Sequence, residues 1–283
     1  MILIFNTFCG LCNQILDIQC ALNFCINHNL KFTFRYCNFR NTKDNRLFFD
    51  VPFQQLFNPE VFKIYTNYID YNSLKNENDI NKNNTYNYEN KRAIELFSNN
   101  NEVLEFIKNN KYKYIVLKQF FALCNSNSYL KKYYVKIKPN SKLFSIFLNL
   151  KNNFLPEKYN FIHYRYESDF TSFFNIETVF SIDNLLKRIK FKNPNLKIYI
   201  ACYNIKSLSK THFLLNDIYS YKNILFKDDI FEKYNIKNLN FEEHAFIDFL
   251  IGVNSCEVYG HKKSSFSSML NLFKNTKNYY NII

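Results

Sequence analysis

Between Glu242 and Leu270 the chain runs through an amphipathic helical stretch (Phe246 to Ile251) and a short strand pattern (Glu257 to Tyr259). A hydroxyl-rich turn, Ser264-Ser265-Phe266-Ser267, then opens a second helix. Helix, strand and helix in such close succession are the building pattern of an α/β sheet. A helix N-terminus dressed with serines is also an anion site, because its unpaired backbone N–H groups and the helix dipole both favour negative charge. The expected anion is a nucleotide diphosphate, and the expected class a nucleotide-sugar enzyme.

The rest of the chain repeats the alternation. Met1 to Asn6 reads as a buried strand, and Leu11, Ile15, Ile18, Leu22 and Cys25 follow at helical spacing. Leu30 to Tyr36 is the next strand, giving a βαβ start with its turn at Phe8 to Leu11. Residues 67–92 are rich in Asn, Asp, Lys and Tyr with little periodicity, which predicts a long surface insertion. Tyr114 to Gln119 reads as a strand. Lys138-Pro139-Asn140-Ser141 and the stretch 152–160 bracket a helix and mark a junction. Beyond it come a strand at 160–166, a helix at 181–190 and a strand at 196–202. The prediction is two Rossmann-like α/β domains, 1–150 and 151–283, facing a central cleft, with ligand at the carboxyl ends of the strands.

Composition limits the competing readings. A formal charge of +13 ordinarily points to nucleic acid or an anionic surface. Here Lys, Asn, Ile, Phe and Tyr dominate, Trp is absent, and Gly and Pro number 3 and 5, a profile that AT-rich codons produce by themselves. Only six of the 37 basic residues are arginine, the residue whose planar fork suits phosphate, and the lysines form no stripe. Nucleic acid is therefore not an expected partner. Against such a bias the three glycines, Gly10, Gly252 and Gly260, are expected to serve a special backbone conformation or a close approach. The 8 cysteines show no disulfide-framework spacing, and Cys9-Gly-Leu-Cys12 lacks a second ligand pair, so reduced, metal-free thiols are expected. The histidines have no metal-ligand spacing. No apolar run spans a bilayer, and the apolar opening Met-Ile-Leu-Ile-Phe lacks a basic flank, so a cytoplasmic protein is expected.

The second informative segment is Phe161-Ile162-His163-Tyr164-Arg165-Tyr166-Glu167-Ser168-Asp169-Phe170. If its strand continued, His163, Arg165, Glu167 and Asp169 would share one face. An ordinary strand end with a surface ion pair would look the same, but an arginine and two carboxylates at a strand's carboxyl end also stand where α/β folds keep their chemistry.

Taken in order, these segments resemble the O-fucosyltransferase-like glycosyltransferases. Gly10-Leu11-Cys12-Asn13-Gln14 matches the family's glycine turn followed by Asn-Gln, and His163, Arg165, Glu167 and Asp169 match its His-x-Arg-x-Glu-x-Asp signature. Asp248 and Ser264-Ser265-Phe266-Ser267 match its terminal helix and donor loop, and Ile198-Tyr199-Ile200-Ala201 its donor-domain strand. The resemblance implies a GT-B architecture whose C-terminal domain binds GDP-fucose. It implies inverting transfer of fucose to a hydroxyl of a protein or glycan, with no obligatory metal or other cofactor. By position Arg165 would hold the diphosphate, with His163 beside it. Asp248 would contact the nucleoside, and Ser264, Ser265 and Phe266 would cradle phosphate and nucleoside. Gly10 and Asn13 would line the cleft from the other domain. Glu167 and Asp169 are both candidates for the general base, or for orienting Arg165. Cys9 and Cys12 depart from the family's pattern, and the chain is shorter than most members. A relative using another nucleotide sugar, and a catalytically inactive sugar- or protein-binding relative, are the alternatives.

Overall fold

The computed structural model describes residues 1–41, 47–75, 85–87, 91–123, 137–164, 186, 189–202, 223–234, 236, 238–261, 264–274 and 279–281. The chain divides into two compact units. One comprises Met1–Leu143 with Asn240–Glu242, and the other Phe144–Leu239 with Glu243–Ile283.

The first unit is built on a five-stranded sheet of order β3-β2-β1-β5-β4. Its strands are β1 (Ile2–Asn6), β2 (Lys31–Arg40), β3 (Phe48–Pro52), β4 (Thr85–Asn87) and β5 (Tyr114–Lys118). All pairings are parallel except β2 with β3. Helix α1 (Leu11–Asn27) returns from β1 to β2 and buries Leu11, Ile15, Ile18, Leu22 and Cys25, the residues whose spacing predicted it. Aromatic rings fill the space beside it. Phe5 and Phe24 both lie against Phe120, at 5.3 and 5.1 Å between ring centroids, and Phe34 stacks on Phe53 at 5.0 Å. Helices α2 (Tyr71–Lys75) and α3 (Asn100–Asn109) are the described α-helices between α1 and the junction helix, and short 3-10 turns stand at Phe53–Gln55, Pro59–Phe62, Ala93–Glu95 and Phe120–Leu123.

Strands β3 and β4 and helices α2 and α3 were not foreseen. The polar stretch 67–92 contributes β4, which pairs with Tyr114–Val116 of β5 while Tyr86 packs on Phe106 and Tyr112. A neighbouring strand and a ring cluster supply there the order that local composition lacks. The antiparallel edge strand β3 likewise gave no periodic signal.

The junction helix α4 (Ser141–Asn153) leads into the second sheet, of order β10-β9-β6-β7-β8 and parallel throughout. Its strands are β6 (Tyr159–His163), β7 (Lys197–Ala201), β8 (Ile224–Phe226), β9 (Glu257–Gly260) and β10 (Tyr279–Asn281). Ile162, Ile198, Ile200 and Tyr259 form one core with Leu186 and Ile189. Tyr199 stacks on Phe161, 5.7 Å apart and 11° from parallel. Helices α5 (Lys227–Lys233), α6 (Phe241–Asn254) and α7 (Ser265–Phe273) complete the described elements. α6 contributes its first two residues to the first unit and the rest to the second. Among the described residues no helix is long and apolar enough to cross a membrane.

Gly10 and Gly252 serve close approach. Neither Gly10 nor Gly252 has positive φ. A Cβ on Gly252 would stand 2.9 Å from Leu270 Cδ2 and 3.1 Å from the Phe161 ring, so a side chain there would push α6 off β6 and α7.

Candidate functional site

In the second unit His163 stands at the carboxyl end of β6 and the Ser264–Phe266 turn follows the carboxyl end of β9, while Asp248 lies on α6. β6 ends at His163, one residue into the predicted signature. Arg165, Glu167 and Asp169 lie outside the described residues, and the described strand carries only His163 of the four that a longer strand would have aligned. β9 ends at Gly260, and the turn that follows opens α7 with Ser264 as its N-cap.

Ser264 is 1% exposed, and its side chain makes no capping hydrogen bond. Its Oγ has no partner among the described residues. An N-cap serine normally returns its oxygen to the first-turn N–H groups. Here, among the described residues, the hydroxyl makes no such bond and is left for another partner, in a first turn that holds no acidic residue. Ser265 is half-buried. Phe266 lays its ring against the His163 imidazole, 4.4 Å between centroids and 31° apart, and meets Phe249 edge-on at 5.7 Å. The side chain that touches the His163 ring nitrogen belongs to Ser267, whose Oγ stands 2.7 Å from Nδ1 and accepts the His261 backbone N–H at 2.9 Å. Ser267 lay inside the predicted loop without an assigned role, because a run of hydroxyls does not say which one turns inward.

Asp248, the predicted nucleoside contact, lies on α6 and is 6% exposed. Both of its oxygens are engaged. Tyr199 Oη donates to Oδ1 at 2.7 Å, and Lys227 Nζ to Oδ2 at 2.5 Å. Burial and the Asp248 carboxylate hold the Tyr199 hydroxyl well above the usual phenol range. His244, one turn earlier on α6, stacks on Phe231 at 5.1 Å. Burial and the Lys227 charge push its imidazole down to about 3, so it is neutral at physiological pH. Among the described residues no group of His, Cys, Asp and Glu is arranged to hold a metal ion.

In the first unit the predicted turn is held by Gln14, the last residue of the glycine-turn motif. Its Oε1 accepts from Thr7 Oγ1 and the Asn38 N–H, and its Nε2 donates to the carbonyls of Cys9 and Asn38, at 2.8 to 2.9 Å. Every hydrogen-bonding position of the amide is thus used. The turn needs the support, because Cys9 sits at φ 73°, a left-handed conformation unusual for a residue with a side chain. Asp17 adds a second tie, accepting the N–H of Phe8 at 3.1 Å and of Phe121 at 2.7 Å. Asn13 is half-buried. Gly10 caps α1 and faces Arg40, where a Cβ would collide with Nη2. Arg40 is in turn paired with Glu242, through its Nε at 2.9 Å and its backbone N–H at 2.8 Å. Neither Cys9 nor Cys12 is in a disulfide, and burial raises the thiol of Cys9 to about 11, away from nucleophilic use.

No protein-family model and no curated sequence matches the chain. Solved structures do. POFUT1 in complex with GDP superposes with a TM-score of 0.66 at 10% identity, over 99% of this chain and 97% of that one. POFUT1 in complex with GDP-fucose gives 0.61 at 9% identity, over 99% and 97%. The fucosyltransferase NodZ from Bradyrhizobium gives 0.52 at 12%, over 96% and 92%. The two α/β units therefore adopt the fold of the GT-B fucosyltransferases along nearly their whole length.

Proposed function

We propose that the protein transfers fucose from GDP-fucose to a hydroxyl of a protein or glycan acceptor, with inversion and without an obligatory metal. The observation that carries this reading is Ser264, a buried N-cap hydroxyl without a partner among the described residues, at the mouth of a helix in a chain whose fold is that of fucosyltransferases. A diphosphate oxygen at that position would accept from the Ser264 hydroxyl and from the first-turn N–H groups of α7, with the helix dipole favouring its charge.

In this reading the second unit binds the donor. His163, Ser264, Ser265 and Phe266 flank the diphosphate, and Arg165 bridges it with two parallel N–H···O bonds. Attack by the acceptor oxygen opposite the diphosphate breaks the bond from the anomeric carbon to the phosphate oxygen, and charge grows on the departing GDP. Arg165 and the helix N-terminus stabilise that charge most when it is largest, which is the condition for lowering the barrier. Asp248 contacts the nucleoside, and its engagement with Tyr199 and Lys227 fixes its orientation. The first unit serves the acceptor, with Gly10 and Asn13 as its contributing residues, and Glu167 or Asp169 takes the acceptor proton or orients Arg165. The largely buried thiols, none of them in a disulfide among the described residues, accord with a reducing compartment such as the cytoplasm.

The test is a melting panel with nucleotides followed by turnover. A ligand at a hundred times its Kd adds about 2.7 kcal/mol of stability, so GDP and GDP-fucose should raise the melting temperature where UDP and CMP sugars do not. Arg165→Ala should lower GDP-fucose turnover by about a hundredfold or more, with little rescue by Arg165→Lys. Equal responses to all the nucleotides, or unchanged turnover in folded Arg165→Ala protein, would refute the assignment.

A further inference from the structure

The hydrogen-bond accounting around Ser267 determines which proton His163 carries. Ser267 is fully buried at 0% exposure on the first turn of α7. Its oxygen has two partners among the described residues, the His261 backbone N–H at 2.9 Å and His163 Nδ1 at 2.7 Å. The amide N–H can only donate, so it occupies one lone pair of Oγ. The hydroxyl has a single proton to place, and among the described residues Nδ1 is the acceptor within reach. If Nδ1 carried the ring proton instead, Oγ would receive two N–H groups and its own proton would be buried without an acceptor among the described residues. Leaving a buried donor unmade is costly enough to bias the two arrangements by about tenfold or more. The neutral imidazole therefore carries its proton on Nε2. Phe266 fixes the plane of the ring, and a flip would turn a carbon toward Ser267 and forfeit the bond.

We propose that Ser267 is a positioning residue that holds His163 as the Nε2–H tautomer. His163 is thereby a neutral hydrogen-bond donor toward the diphosphate, and in this tautomer it does not take the acceptor hydroxyl's proton. The identity of the group it donates to rests on the donor-site reading above; the tautomer does not. Ser267 also joins three segments in one hydroxyl: the end of β6, the residue after β9 and the first turn of α7. The orientation of His163 is thus tied to the placement of the helix that carries Ser264.

Nitrogen NMR of the protein labelled at histidine reads the tautomer directly, without nucleotide, and the His163 signals are identified by their loss in His163→Asn. Wild type and Ser267→Thr should show unprotonated Nδ1 and protonated Nε2, whereas Ser267→Ala should show a mixture or the opposite form. Turnover of GDP-fucose should fall about tenfold in Ser267→Ala, in kcat more than in KM, and recover in Ser267→Thr. Protonated Nδ1 in wild type would overturn the proposal even if GDP binds, and it requires no variant to fold. An unchanged tautomer and kcat in Ser267→Ala would overturn it too. The Nε2–H tautomer with no response to GDP would instead refute the donor reading, leaving Ser267 as the lock on His163.

Discussion

Replacing Asp248 by Asn tests how the donor-side unit is held together. The substitution is isosteric and leaves an oxygen to accept from Tyr199, but it removes the charge that compensates Lys227. Lys227 is 8% exposed and its Nζ is 2.5 Å from Asp248 Oδ2, so the ammonium would be left buried and unpaired. Removing one partner of a buried pair costs roughly 3 to 5 kcal/mol, whereas replacing both members by apolar groups is often neutral. Against a total stability of about 5 to 15 kcal/mol, Asp248→Asn should lose a large share. At roughly 2 to 4 °C per kcal/mol the melting temperature should fall by about 10 °C. Adding Lys227→Met should restore most of it, because the orphaned charge is gone. The assay is thermal melting of wild type, Asp248→Asn and the double variant at one salt concentration. A fall below about 2 °C in the single variant, or a double variant no better than the single, would refute the account of a buried, mutually dependent pair. If Asp248 also contacts the nucleoside, the refolded double variant should bind GDP more weakly than wild type.

Two further outcomes are expected. Ser264→Ala should not show the loss of about 1 kcal/mol usual for an N-cap serine, because the cap bond is absent, yet it should weaken GDP binding; calorimetric GDP affinity equal to wild type would remove Ser264 from the site. His244 is held at about 3 against an ordinary value of 6.5, a folded value below the unfolded one, so stability is lost as pH falls below 6.5 while the unfolded chain takes up the proton. Relative to His244→Phe, wild type should lose about 2 kcal/mol in urea melts between pH 7.5 and pH 5, and parallel stability profiles of the two proteins would show that the imidazole is not buried neutral.

The elements legible in the sequence were those with a local signal. The apolar spacing from Leu11 to Cys25 marked α1, and the change of period through Glu257 to Ser264 marked β9 and the start of α7, because each depends on residues within a turn or two of one another. The turn at Gly10 was visible as a rare residue type in a biased composition, and the serines of α7 as a hydroxyl-rich turn opening a helix. The tertiary structure alone decided which atoms meet: Ser267 with His163 across 104 positions, Arg40 with Glu242 across 202, and Gln14 with Asn38 across 24. β4 was missed for the same reason, since its pairing with β5 makes it a strand where its own residues do not. Periodicity records which face of an element is apolar. A buried polar group is satisfied by whichever partner the packed sheet and helices bring within about 3 Å, and that distance does not exist until the chain is folded.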